Sequence, residues 1–162
     1  MKDVRPTTSK ALLALFNILG NINGLAFLDL FAGTGGVGLR ALSKGAISVT
    51  FVESERRRAS DIKNKLKTDC TALCLDVRRA LPKLSKEGKT FDIIFADPPY
   101  ELGWSEELPP LFEKYSELLA PGGVFVFEHS SNEDPIEMDK DKWERQDRAY
   151  GFSVFSIYKR RI

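Results

Sequence analysis

Phe27-Leu28-Asp29-Leu30-Phe31-Ala32-Gly33-Thr34-Gly35-Gly36-Val37-Gly38 packs an apolar run, a tight turn and a helix start into one short stretch. The run, Ala26–Phe31, is long enough for one buried strand, and helix-compatible residues follow near 37–44. The glycines fit G-x-G-x-x-G, the spacing that brings backbone close to a ligand at a helix N-terminus. Further apolar runs, Ser48–Val52, Ala72–Leu75, Phe91–Ala96 and Val124–Phe127, alternate with helix-length segments near 55–68, 77–85 and 106–119. Near-continuous apolar strands separated by helices predict a mostly parallel α/β sheet with helices on both faces. Upstream, Ser9 is placed to cap a helix carrying Ala11, Leu12, Leu15, Phe16 and Leu19, which Gly20 ends. Downstream, Trp143–Arg148 and Phe152–Tyr158 read as a hairpin turning at Tyr150-Gly151, so the last strand is expected to run antiparallel. Residues 129–142 read as a polar surface loop.

The chain has 162 residues, which fits a single domain over 1–162, with an N-terminal segment and helix at 5–20 and a core at 26–162. Hydrophobic residues make up 43% and charged residues 29%, which excludes disordered and low-complexity classes. Lys plus Arg total 24 against 23 acids, so any nucleic-acid contact must come from local patches. Cys70 and Cys74 lack C-x-x-C spacing and read as small buried hydrophobes in a reducing compartment. Residues 11–28 carry no charge, but Asn17, Gly20, Asn21, Asn23 and Gly24 interrupt them, so no membrane span is expected. The expectation is a cytoplasmic protein.

Glu53 follows Gly33 by twenty residues at the end of the second run, so spacing alone also fits an NAD fingerprint. Asp29 separates the nucleotides. A carboxylate about 5 Å from a pyrophosphate would repel each charge by roughly 3 kcal/mol at an effective dielectric of about 20. S-adenosylmethionine (SAM) carries a sulfonium and an ammonium instead, and an acid there attracts it. Glu53 suits a ribose diol, and Asp76, after the third run, suits an adenine amino group. Three carboxylates at successive strand ends favour the cationic nucleoside.

Asp97-Pro98-Pro99-Tyr100 ends the fourth run, at the sheet edge where ligands bind in such folds. Proline fixes φ and lacks an N–H, which stiffens the loop and leaves carbonyls free to accept. An amino group on an aromatic base is a poor nucleophile because its lone pair is delocalised. The Asp97 carboxylate and Pro98 carbonyl can hold both N–H bonds and aim that lone pair at a methyl donor. Tyr100 suits stacking on the base, worth roughly 1–3 kcal/mol, and a paired target would first be flipped out.

D-L-F-A-G-T-G followed by D-P-P-Y is similar to the SAM-dependent amino-methyltransferases with a seven-stranded Rossmann-like sheet. Arg5-Pro6-Thr7-Thr8 with Leu15-Phe16-Asn17 resembles the RsmD family within them, which methylates guanine N2 in 16S ribosomal RNA. The likeness runs from Arg5 to Arg160. It implies class I methyltransferase architecture, SAM as cofactor and S-adenosyl-L-homocysteine as product. It assigns Asp29, Gly33 and Gly35 to the methionine end, Glu53 to the ribose and Asp76 to the adenine, with Phe31, Ser54 and Val77 also among the donor-binding residues. Asp97, Pro98, Pro99 and Tyr100 would hold the amine, with Asp97 also beside the donor. Partners implied are ribosomal RNA or a small-subunit assembly intermediate, with the protein a monomer. One departure is the short lead: four residues precede Arg5, where family members carry a basic, glycine-containing strand, so a weaker or different RNA grip, or a shortened chain, is expected. D-P-P also occurs in some DNA-modifying relatives, and N-P-P-Y in relatives that act on adenine or on glutamine side chains, which leaves DNA or protein amino-methylation as alternatives. A SAM-binding ribosome assembly factor without turnover is a non-enzymatic alternative, and an NAD-dependent oxidoreductase a third.

Residues 56–67 carry Arg56, Arg57, Arg58, Lys63, Lys65 and Lys67 against Asp61, a net charge of +5 that suits RNA. Residues 101–117 are acidic. Trp104 reads equally as a lid over the base or as a packed aromatic. His129, the single histidine, reads as structural.

Overall fold

The computed structural model describes residues 8–66 and 69–162. In chain order its elements are α1 (Ser9–Leu19), β1 (Ala26–Leu30), α2 (Gly36–Ser43), β2 (Ser48–Val52), α3 (Arg56–Lys65), β3 (Cys70–Leu73) and α4 (Val77–Lys86). They continue with β4 (Phe91–Ala96), α5 (Trp104–Lys114), β5 (Leu119–Ser130), β6 (Trp143–Tyr150) and β7 (Ser153–Arg160). The seven strands form one sheet in the order β3-β2-β1-β4-β5-β7-β6. β7 inserts between β5 and β6 and runs antiparallel to both, while the remaining neighbours pair parallel. This is the mostly parallel sheet with an antiparallel last strand that the alternation of runs implied.

Period-2 alternation sends side chains to two cores. On one face Phe27, Phe51, Ile93, Phe95, Val126 and Phe155 pack under α1, α2 and α3 through Leu15, Phe16, Val37, Ala41 and Ile62. On the other, Leu28, Leu30, Ile94, Phe125 and Phe127 meet Leu81 and Leu84 of α4 and Leu108 and Phe112 of α5. Strands covered on both faces have no solvent side, so their sequences read as unbroken apolar runs.

Several boundaries differ from expectation, each for a local reason. Thr8, not Ser9, caps α1, with its hydroxyl accepting from the Ala11 N–H at 3.2 Å. Arg5, Pro6 and Thr7 lie outside the described residues. β3 starts at Cys70 rather than Ala72 because its register follows β2, from Val49 opposite Cys70 to Val52 opposite Leu73. Leu75 and Asp76 therefore fall in the turn beyond it. Cys70 is half-buried and Cys74 exposed, so neither is the buried hydrophobe expected. α5 begins at Trp104 and ends at Lys114, with a separate turn of 3-10 helix at Ser116–Leu118. Its interior Pro109 has no N–H for the Ser105 carbonyl, which instead accepts from the Ile136 N–H at 2.8 Å. That bond anchors the connection after β5, where Pro135 and Met138 are also buried, so 129–142 is not wholly a surface loop. His129 and Ser130 of that stretch belong to β5.

Candidate active site

Open parallel sheets bind ligands outside the carboxyl ends of the strands, where strand order reverses. Here that crevice lies between β1, whose chain leaves by α2 toward β2, and β4, reached from β3 across the sheet through α4. Asp29 stands near the β1 tip and Asp97 immediately follows β4.

Asp29 is 1% exposed, and its Oδ2 accepts from the Gly38 N–H at 3.0 Å. Gly35, the residue at the cap position of α2, has no side chain to offer, so Asp29 caps that helix from the neighbouring strand. The arrangement needs close approach: a Cβ on Gly38 would lie 2.3 Å from Phe51 Cε1 and 2.9 Å from Val49 Cγ1. Gly35 also adopts a left-handed φ of 83°. The helix end that cradles phosphate in dinucleotide sites thus already holds a carboxylate, which disfavours the NAD alternative. Burial pushes the Asp29 carboxyl up to about 7, assisted by the charge of Glu53 and opposed by the Gly38 bond.

Glu53, at the β2 tip, is buried under the glycine loop. Oε1 accepts from the Gly33 N–H at 2.8 Å and Oε2 from the Glu55 N–H at 2.7 Å, with Arg58 Nε 3.4 Å away. Each oxygen keeps a second lone pair for a hydroxyl donor. Ser54 beside it is exposed. Phe31 has a φ of 58° and turns its ring edge-on to Trp104, with centroids 4.7 Å apart. Asp76 caps α4, accepting from the Arg78 N–H at 2.8 Å and pairing with its guanidinium at 3.0 Å. Val77 follows as the first helical residue with its side chain in the core.

Register brings the second half of the site together. Asp29 lies opposite Phe95, Phe95 opposite Val126, and Ala96 opposite Phe127, so Asp97 and Glu128 are neighbours across β4 and β5. Asp29, Asp97 and Glu128 alternate with the α1–α3 core residues and share their face, as does Ser153, two residues before Phe155 on β7. Burial, with the charges of Glu128 and Asp29, holds the Asp97 carboxyl well above the usual range. Glu128 is 6% exposed and pushed up to about 7, chiefly by burial. The Tyr100 hydroxyl lies 2.9 Å from Ser153 Oγ and 3.4 Å from Glu128 Oε2. Pro98 is buried and Pro99 exposed. Glu128 and Ser153 were not singled out as site residues from sequence, although Glu128 carries the same signal as Asp29: an acid ending an apolar run.

The chain matches the family described as Conserved hypothetical protein 95 over residues 1–159. Ribosomal RNA small subunit methyltransferase D of Escherichia coli (strain K12) is 30% identical over 97% of this chain and 80% of its own. YlbH of Bacillus subtilis (strain 168), provisionally named an rRNA methyltransferase, is 34% identical over 98% of this chain and 89% of its own. The chain belongs to this family. The solved structure of yhhF from Escherichia coli, provisionally named a methyltransferase, has a TM-score of 0.81 at 28% identity, covering 97% of this chain and 87% of that one. The structure of SMU.776 complexed with S-adenosylhomocysteine shares the fold at a TM-score of 0.71. The protein is accordingly a methyltransferase of the RsmD family with the class I SAM-dependent fold.

In this methyltransferase the basic stretch of α3 divides. Arg56 and Arg57 are exposed at the start of the helix, whereas Arg58 is turned toward Glu53 and Glu55. Lys63 and Lys65 sit at the far end of the helix, and Lys67 lies outside the described residues. Trp104 is packed rather than a lid, 7% exposed with the Arg78 guanidinium 4.2 Å from its ring. His129 is structural: Nε2 lies 2.8 Å from Ser156 Oγ and Nδ1 2.9 Å from the Ser130 carbonyl. Among the described residues no group of acids, cysteines and histidine could hold a metal ion. No helix among them is long and apolar enough to cross a membrane.

Proposed function

We propose that the protein transfers a methyl group from SAM to the exocyclic N2 of guanine in small-subunit ribosomal RNA, in the cytoplasm. The observation that carries the reading is the pairing of buried Asp29 with the Asp97-Pro98-Pro99-Tyr100 loop at one switch-point crevice. The likeness to ribosomal RNA small subunit methyltransferase D over 97% of this chain and 80% of that protein supports the substrate class.

The residues fit the donor's chemistry. Asp29 and Asp97 are both held toward the protonated form by burial, so a cation between them relieves a desolvation cost that an anion would deepen. Asp29 with the Gly33 and Gly35 backbone faces the methionine end, Glu53 with Ser54 the ribose, and Asp76 with Val77 the adenine. Bound SAM supplies a methyl group on a sulfonium and leaves as S-adenosyl-L-homocysteine. The Asp97 carboxylate and Pro98 carbonyl accept the two N–H bonds of the amine, favouring a pyramidal nitrogen whose lone pair points at the methyl. Positive charge then develops on nitrogen beside Asp97, which stabilises it and takes the released proton. Tyr100, anchored through its hydroxyl by Ser153, presents its ring to the base, and Pro99 stiffens the loop.

Incubation with methyl-labelled SAM and either naked small-subunit RNA or assembled particles tests this, with the product digested to nucleosides. The expected product is N2-methylguanosine. Label in adenosine, in cytidine, in protein glutamine or in no product overturns the reading.

A further inference from the structure

We propose that Glu128 reads the target base, its Oε1 accepting the ring N–H adjacent to the amine being methylated. This rests on the guanine reading above. Guanine presents two neighbouring donors on that edge, the N2 amine and N1–H. Adenine and cytosine present an amine beside a ring nitrogen that is an acceptor. An acceptor pair on the protein therefore selects guanine by attraction and rejects the others by lone-pair repulsion.

Three observations place such a pair here. Glu128 follows the Ala96–Phe127 pair of β4 and β5 and is the cross-strand neighbour of Asp97, on the same sheet face. Glu128 is 6% exposed, and Oε1 is buried with no hydrogen-bond partner among the described residues. Buried carboxylate oxygens are ordinarily satisfied, and an orphan beside a substrate loop marks a place for a ligand donor. Oε2, by contrast, lies 3.4 Å from the Tyr100 hydroxyl, which itself lies 2.9 Å from Ser153 Oγ. One oxygen is thus tethered to the stacking residue while the other is buried without a hydrogen-bond partner. The same hydroxyl network fixes Glu128 relative to the Tyr100 ring, so the base plane and its reader are held together.

The test replaces the target guanosine, once mapped, with 2-aminopurine riboside, which keeps the amine but has a bare N1. Wild-type protein is expected to favour guanosine by roughly 10–100-fold in kcat/KM, the range for a hydrogen bond to a charged group. Glu128→Gln, whose amide can turn to donate to N1, is expected to shrink that preference at least about tenfold. Glu128→Asp, which keeps the charge, should retain it. RNA affinity measured by fluorescence anisotropy with S-adenosylhomocysteine present should follow the same order without any turnover. A wild-type preference near one overturns the proposal. So does a Glu128→Gln variant that loses activity equally on both bases, since that marks a merely structural carboxyl. Absence of guanosine methylation by the wild type overturns the guanine reading itself, a separate result from an unchanged ratio.

Discussion

Asp29 completes α2 by accepting from Gly38, and in the proposed function the same carboxylate sets the charge of the crevice. Asparagine keeps the acceptor oxygen and removes the charge, so Asp29→Asn separates the tasks. SAM affinity is expected to fall by about tenfold in isothermal titration, the equivalent of losing about 1.4 kcal/mol of charge contact. Chemical stability at pH 8 is expected to hold or rise, because an ionised buried carboxylate has been removed. Gly38 illustrates the opposite constraint, one of space. Gly38→Ala drives a methyl into the ring of Phe51, which is fully buried, and overpacking of this kind costs about 1–3 kcal/mol. Urea denaturation should show a lower midpoint.

At the scale of elements, α1 hangs on its first turn. Thr8→Ala removes the hydroxyl that accepts from Ala11 and should cost about 1 kcal/mol, while Ser9→Ala should leave the thermal midpoint unchanged. Reading Ser9 as the cap misplaces the helix by one residue, because neighbouring Thr8 and Ser9 offer the same hydroxyl chemistry. The strands were legible because burial on both faces leaves unbroken apolar runs, and the hairpin was legible from Tyr150-Gly151. The start of β3 was not: Cys70 and Thr71 join it only because β2 supplies a partner in register. The ends of α5 were hidden as well: against the expected 106–119, the helix starts at Trp104 behind Gly103 and stops at Lys114, before the separate turn at Ser116–Leu118. In the candidate site, Asp29, Glu53 and Asp97 draw notice in the sequence by their places at the ends of runs. Glu128 ends an apolar run in the same way, but its place beside Asp97, like that of Ser153, emerges only when register sets β5 and β7 beside β4.

For the whole molecule, the carboxyls gathered at the strand ends govern how stability depends on pH. Asp29 and Glu128 titrate near 7 when folded, and Asp97 is likewise raised, whereas their unfolded values lie near 4. Between about pH 4 and 7 the folded protein holds protons that the unfolded chain has released. Stability from these groups is therefore complete below pH 4 and falls as pH rises through 7. Asp147, held low by Arg145, acts in the opposite sense, but only as pH drops below about 4. Thermal melts of the ligand-free protein should show a midpoint that declines from pH 5 to pH 8. Saturating SAM should flatten that decline, since a cation favours the ionised carboxylates. A midpoint that rises over the same interval would mean that these acids are not buried together.

In the proposed mechanism Asp97 chiefly holds the amine, while Asp29, Glu53 and Asp76 carry most of the donor's contacts. Asp97→Ala, assayed on the mapped RNA by single-turnover quench and with SAM by calorimetry, separates the two most directly. The methyl-transfer rate should drop by at least about 100-fold, in the range for losing one preorganised electrostatic contact, while SAM affinity stays within a few-fold of wild type. A variant that transfers methyl at the wild-type rate would contradict the assignment.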